Sequence, residues 1–407
     1  MNLPISWLNE FVDVSDIPVS DYCARMTDTG SKVEDWEALG SELENVRVGK
    51  ILSVERHPDA DRLVICSVDV GEEAPRQIVT AATNVYAGAF VPVACAPAKV
   101  VGGDIKRGKL RGAESNGMFC SIAELGLTRH DMPYAVEDGI LILNDDPTLG
   151  EYKPGDDICD VLGLRDSVVE FEITPNRPDW LSMWGVARDV SCLLDTPAKL
   201  PEITVPECDI PAPGLVTVEA PDLCRRYIGR VIRNVKVGPS PKWLVERLES
   251  IGLRSINNVV DVTNFVLMEL GQPLHAFDRD KLEGGRTEIS VARDGERIVT
   301  LDGQERVLTS ADLLIRDGMK PVALAGVMGG LDTEISDASR NVMVESAVFR
   351  PETIRKTARR LALASEASYR FERGVDQINS RFAMDRAVSL MAELSGGVVR
   401  TGACTQE

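Results

Sequence analysis

The sequence predicts a multidomain α+β protein: a small closed β-barrel inserted into a small α/β domain, with a larger α/β unit following. Three observations carry this expectation. The chain has 407 residues, too many for one ordinary core. Between Asn45 and about Asp145 the apolar pattern breaks into short alternating stretches of strand type. The segment Thr196–Gly214 holds five prolines from Pro197 to Pro213 and reads as a boundary. The expected division is 1–39 with 151–200 as the small α/β domain, 40–150 as the barrel, and 201–407 as the final unit.

Residues 1–39 carry the apolar pair Trp7-Leu8 and then DYCARMTDTG, ending on Gly30. That is one helix or two, too little to bury a core alone. The barrel strands follow: VRVGKILSVERH, LVICSVDVG, QIVTAA, FVPVACAPAKV and GILIL, separated by turn formers such as HPDAD and VGGD. Five short strands in about 100 residues suggest the OB-fold, the commonest small barrel. SVVEFEIT, the turn PNRPD and the amphipathic LSMWGVARDVSCLL then supply the partner that residues 1–39 lack. Past the linker, strands and helices alternate: YIGRVIRNVKVG, WLVERLESIG, NNVVDVTNFVLMELG, TEISVARD, ERIVTLDG, LLIRDG and PVALAGVMGG, before two long helical stretches.

Composition narrows the function classes. The formal charge is −19, so a general nucleic-acid coat is excluded and any RNA contact must sit on local basic islands. Nine cysteines occur singly with no CxxC pair, which fits reduced thiols better than a zinc site or a disulfide scaffold. The N-terminus MNLPISWLNEFVDV lacks a basic n-region, and no apolar run reaches the length of a membrane span. A soluble, cytoplasmic protein is expected, with no metal site.

Four stretches carry candidate chemistry. In KRGKLRGAESNGMFCSIAELGL, the residues Lys106, Arg107, Lys109 and Arg111 form a basic island that is either a solvated loop or a nucleic-acid surface. Asn257, Asp261 and Asn264 fall at i, i+4 and i+7 on an otherwise apolar helix, and His275 follows in GQPLHAFDRDKL. A polar stripe there meets water, a partner or a ligand, or it is a helix cap beside a satisfied histidine. ALAGVMGG (Ala323–Gly330) is glycine-rich but lacks the Lys-Ser/Thr of a phosphate loop. Glu345 lies among Val342, Val344, Ala347 and Val348, where a carboxylate needs a partner unless the strand lies at an edge. Finally, Arg350–Arg373 contains seven basic and three acidic residues, a second island that includes Arg355, Arg359 and Arg360. His57 and His130 read as a turn residue and a solvated loop residue.

HPDADRLVICSVDVG, RQIVTAATNVYAG and LRGAESNGMFCSIAELGL together resemble the tRNA-binding OB domain attached to several aminoacyl-tRNA synthetases. Aromatic interleaving is sparse, with Tyr86, Phe90 and Phe119 near these motifs, so recognition through shape and phosphates is expected. INNVVDVTNFVLMELGQPLHAFD, ALAGVMGG, VESAVFRPETIRKTARRL and SEASYRFERGVD resemble the B3/B4 editing module of the bacterial phenylalanyl-tRNA synthetase β subunits, and LPISWLNEFVDV and EFEITPNRPDWLSMWGVARDV match the same family. Family members continue into a B5 domain and beyond, whereas this chain stops at Glu407, so a truncation before B5 is expected.

That resemblance implies binding of tRNA(Phe), an α subunit partner in an α2β2 assembly, and proofreading hydrolysis of mischarged Tyr-tRNA(Phe). The α subunit would carry ATP-dependent phenylalanylation, with ATP and Mg2+ bound outside these residues and no cofactor within them. By the same resemblance Glu345 reads the substrate phenol; Ala325, Gly326 and Gly329 line the pocket and leave room for the ring; and Ser365 and Ala367 form the opposite wall, with Asn257 and Asp261 near by. His275 is the candidate for holding the 3′ end or the attacking water, without a covalent intermediate. Two alternatives stay open: a tRNA-binding scaffold whose pocket is inert without the α subunit and the rest of β, and a free-standing trans-editing hydrolase.

Overall fold

A computed structural model describes residues 1–129, 132–136, 138–146, 149–211, 214 and 216–406. It divides into two compact units, residues 37–167 and residues 1–36 with 168–407. His130 lies outside the described residues.

In the unit 37–167 the long strands Glu44–Arg56 and Phe90–Val100 pair antiparallel, and Val64–Asp69 and Arg76–Thr80 extend the sheet beyond Glu44–Arg56. On its other side Gly117–Phe119 pairs with Phe90–Val100. The ends then approach: Asn116 N donates to Gln77 O at 2.9 Å, and Val79 N to Ser115 Oγ at 3.1 Å. This curl is the OB-like barrel that the alternating pattern predicts. One strand differs. Ile140–Leu143 of the apolar run GILIL are buried but form no strand; Leu141 N donates to Cys120 O at 3.0 Å, and Ile142 O and Leu143 O accept from the turn that follows. The fifth strand is instead Gly117–Phe119, too short to show a period.

In the other unit Asn2–Pro4 pairs antiparallel with Ser167–Phe171, and the helix Met183–Leu194 is capped by the Ser182 hydroxyl, which accepts from Gly185 N at 3.0 Å. Trp7 stacks on Phe265 with ring centroids 4.9 Å apart, so the N-terminal segment shares a core with the helix Val260–Leu270. The main sheet of this unit runs Glu207–Pro211, Val398–Thr401, Cys224–Arg233, Asn341–Phe349 and Leu274–Asp278 in spatial order. A smaller five-stranded sheet includes Thr287–Val291, Leu313–Arg316, Pro321–Leu324 and Met328–Gly329.

The central strand Asn341–Phe349 explains the long apolar run of its sequence, because both of its faces are covered. Val342 and Val344 join one core, with Val262, Val266 and the helix Asn379–Ser395. Met343, Ala347 and Phe349 join another, with Tyr227, Phe277, Leu324 and Phe371. Glu345 has the parity of the second face, and its strand is flanked on both sides. Burial of the eight residues Val342–Phe349 leaves a carboxylate with no route to bulk water except through whatever opens at that face.

Candidate active site

His275 stands directly opposite Glu345 in the antiparallel pairing of Leu274–Asp278 with the central strand. Directly paired residues point to the same face with Cβ atoms about 5 Å apart. Across the other neighbouring strand, Gly229 faces Glu345 and Ala347 faces Tyr227. These two small residues leave a diagonal slot, which the Tyr227 phenol crosses to donate to Glu345 Oε2 at 2.9 Å. Burial pushes the Glu345 carboxyl up to about 8, and the Tyr227 bond acts in the opposite direction. The Tyr227 phenol is held well above its ordinary range, first by burial and then by the neighbouring carboxyl, so it remains a donor.

The His275 ring packs edge-to-face on Phe277 with centroids 4.5 Å apart. Burial pushes its imidazole down to about 4, so it is neutral at physiological pH and able to accept a proton. Among the described residues its ring nitrogens engage no protein hydrogen-bond partner. The glycine-rich turn closes over it. A Cβ built on Gly329 would lie 2.6 Å from His275 Cε1 and 2.8 Å from Nε2, a contact only glycine permits.

The other expected pocket residues fall into different places. Ala325 is buried in the second core. Gly326 has φ +67°, and the space beside it is already filled: a Cβ there would meet the Phe349 and Phe371 rings at 2.9 Å. On its Cβ side, therefore, Gly326 seats the turn on the core. Ser365 caps the helix Glu366–Phe371, accepting from Ser368 N at 3.1 Å, and its hydroxyl donates to Val327 O at 2.8 Å. The serine thus ties that helix to the turn over His275, while Ala367 packs against the second core. An open groove of about 700 Å³ between Pro351–Leu361 and Glu366–Phe371 is lined by Arg359, Ala362, Ser365 and Tyr369 among others, and by neither His275 nor Glu345.

Asn257 and Asp261 are not brought to Glu345. Asn257 Oδ1 accepts from Val259 N and Val260 N, both at 3.0 Å, at the start of the helix. Asp261 is fully buried, accepting from Ser240 Oγ at 2.6 Å, Ser255 Oγ at 2.5 Å and Ile256 N at 2.7 Å. Its helix packs on the opposite face of the sheet, where Asn257 and Asp261 organise the loops at the start of the helix. Tyr227 is the residue that sequence reasoning missed. A tyrosine in a run as apolar as YIGRV demands a hydroxyl partner, which was the available signal.

The basic islands also separate. Lys106, Arg107, Lys109 and Arg111 are all exposed on and beside the hairpin Gly108–Leu110/Ala113–Ser115, and among the described residues only Lys109 forms an ion pair, with Glu114 at 3.4 Å. His57 is buried behind that hairpin: its Nδ1 accepts from Asp59 N and its Nε2 donates to Leu110 O, both at 3.1 Å. In the second island Arg355, Arg359 and Arg360 are all exposed, and the Arg360 guanidinium also pairs with the buried Asp312. Arg370, counted in that island, is buried on Leu181 O at 3.0 Å and Glu366 Oε2 at 2.6 Å, so it is not a phosphate contact. Among the described residues, no group of three or more His, Cys, Asp or Glu could hold a metal ion, and no helix is long and apolar enough to cross a membrane.

Comparison with known proteins adds to this geometry. Residues 46–141 match a family model described as a tRNA binding domain, and residues 223–396 match the B3/4 domain. The chain is 49% identical over 410 residues to the phenylalanine–tRNA ligase beta subunit of Nitratidesulfovibrio vulgaris, covering 100% of this chain and 50% of that one. It is 50% identical over 410 residues to the beta subunit of Oleidesulfovibrio alaskensis, with the same coverage. With that of Moorella thermoacetica the identity is 49% over 406 residues, covering 99% and 49%. The chain spans about half the length of the curated relatives it matches.

Proposed function

From a chain that belongs over its whole length with the N-terminal halves of phenylalanine–tRNA ligase beta subunits, we propose a protein that binds tRNA(Phe) and hydrolyses tyrosine wrongly esterified to it. The observation that carries the proposal is the cross-strand pair of His275 and Glu345, with Gly329 against the His275 ring. An apolar synthetic pocket rejects an added hydroxyl by only about 100-fold, so proofreading needs a second site that hydrogen-bonds the phenol. Glu345 offers an acceptor there, and phenylalanine would leave that buried group unpaired at a cost of about 1–3 kcal/mol. His275, neutral and without a protein partner on its ring nitrogens among the described residues, takes the proton from water as the water oxygen attacks the ester carbonyl. The C–O bond to the ribose then breaks, and the proton passes to the departing hydroxyl. General-base assistance of this kind supplies at most about 10²–10⁴-fold, and burial, which makes this imidazole a weaker base, draws on the lower part of that range.

In this proposal Lys106, Arg107, Lys109 and Arg111 contact the tRNA backbone on the barrel, and Arg355 and Arg359 do so beside the groove. ATP-dependent phenylalanylation belongs to the α subunit of an α2β2 enzyme, with ATP and Mg2+ outside these residues, in the cytoplasm. The test is hydrolysis of pre-formed Tyr-tRNA(Phe), with Phe-tRNA(Phe) alongside and Glu345→Ala as control. Release of tyrosine that loses its selectivity in Glu345→Ala is expected. One observation favours a second possibility: Glu345 already has a protein phenol on Oε2, which would satisfy a purely structural carboxyl. Tight tRNA binding with no turnover would then mark the chain as a scaffold.

A further inference from the structure

We infer that Tyr227 is a positioning residue for phenol selection: it claims Glu345 Oε2 and leaves Oε1 to meet the substrate. The assignment rests on Glu345 being the phenol-recognising group proposed above.

The geometry is specific. Tyr227 and Glu345 lie on adjacent strands, offset diagonally across the small pair Gly229 and Ala347. Diagonal neighbours are normally about 7–8 Å apart at Cα, within reach of an aromatic side chain and of little else. Both residues are buried, and the bond is 2.9 Å. A carboxyl on a two-bond stem has several rotamers and two equivalent oxygens. A substrate phenol meeting it needs one particular oxygen presented as the acceptor. A fixed O–H on the other oxygen settles which oxygen is presented, and it opposes the upward push of burial on the carboxyl, because a hydrogen bond to the charged form favours that form. Burial of Tyr227 among apolar neighbours keeps its own proton in place, so it donates throughout the working range.

Tyr227→Phe isolates this bond while keeping the ring. Two readouts are measured on the full chain: the ratio of Tyr-tRNA(Phe) to Phe-tRNA(Phe) hydrolysis against pH, and the titration of the Glu345 carboxyl by ¹³C NMR. The expected result is a fall of about 10-fold or more in the ratio at neutral pH. Its onset should move to higher pH, matched by a higher Glu345 midpoint. In a Glu345→Gln background the same change should leave the ratio unaltered, which a merely structural tyrosine would not do. Should Tyr227→Phe fail to fold, 3-fluorotyrosine at 227 keeps the ring and strengthens the donor, and the midpoint should fall. An unchanged Glu345 midpoint in either variant overturns the inference, as does unchanged selectivity. Wild-type protein that hydrolyses neither substrate defeats the proposed function instead, while the NMR titration still decides whether Tyr227 governs Glu345.

Discussion

At the scale of single residues, Glu345 and His275 face one another with opposite titration behaviour, and stability should record both. Burial raises Glu345 from 4.5 to about 8, so the folded chain keeps a proton that the unfolded chain releases. Stability therefore falls as pH rises through that window, by at most about 5 kcal/mol. His275 is lowered from 6.5 to about 4, so the unfolded chain gains a proton that the folded one refuses. Stability falls as pH drops through that range, by at most about 3 kcal/mol. Urea unfolding across pH 4 to 8 should show Glu345→Gln flattening the alkaline side and His275→Gln the acid side. Wild-type curvature in both variants would mean that neither group is buried as described. Gly329→Ala offers a sharper probe, since its Cβ must displace the imidazole. Loss of about 10²-fold in tyrosyl ester hydrolysis is expected, with a stability change of only about 1–3 kcal/mol. Full activity in that variant would remove His275 from the chemistry.

At the scale of elements, the helix Pro351–Leu361 shows why a basic run in a sequence is an ambiguous signal. Arg355 and Arg359 are four apart and share the exposed face. Thr357 and Arg360 instead turn to Asp312, which is 1% exposed; Thr357 Oγ1 donates to its Oδ1 at 2.8 Å, and Thr309 N to its Oδ2 at 2.8 Å. The acid lies 48 residues earlier, so no local pattern could have paired it with Arg360. Asp312→Ala should destabilise by about 1–3 kcal/mol, because buried Thr357 and the Thr309 backbone lose their acceptor. Arg359→Ala should stay within about 0.5 kcal/mol of wild type yet weaken tRNA binding. Thermal unfolding of the two variants side by side separates the roles, and equal stability would reverse them. The same distinction governs the barrel. Its long alternating strands were legible in the sequence, whereas Gly117–Phe119 was too short to announce itself and buried GILIL imitated a strand.

At the scale of the molecule, what the sequence carried locally was recoverable: the order of motifs, the inserted barrel, the strand bearing Glu345, and the resemblance that 49% identity over the whole chain supports. What depended on register was not. Tyr227 and Glu345 are 118 residues apart, and which face of the sheet receives Asp261 follows from packing that no periodicity encodes. This division suggests that tRNA capture and ester chemistry can be altered independently. The chain carries 45 basic and 64 acidic residues, so attraction to RNA must come from islands rather than the overall field. Replacing Lys106, Arg107, Lys109 and Arg111 by Ala should lower the slope of log affinity against log salt by up to about 3, at roughly 0.7–0.9 per phosphate contact. Hydrolysis of tyrosyl-adenosine, which lacks the tRNA body, should be unchanged in that variant. Glu345→Ala should do the reverse, keeping the salt slope while losing discrimination between tyrosyl and phenylalanyl esters. If the fourfold variant keeps both affinity and slope, the hairpin is a solvated loop and tRNA is held elsewhere. If instead it loses hydrolysis of the short ester, the barrel contributes to the chemistry itself, and the two functions are one.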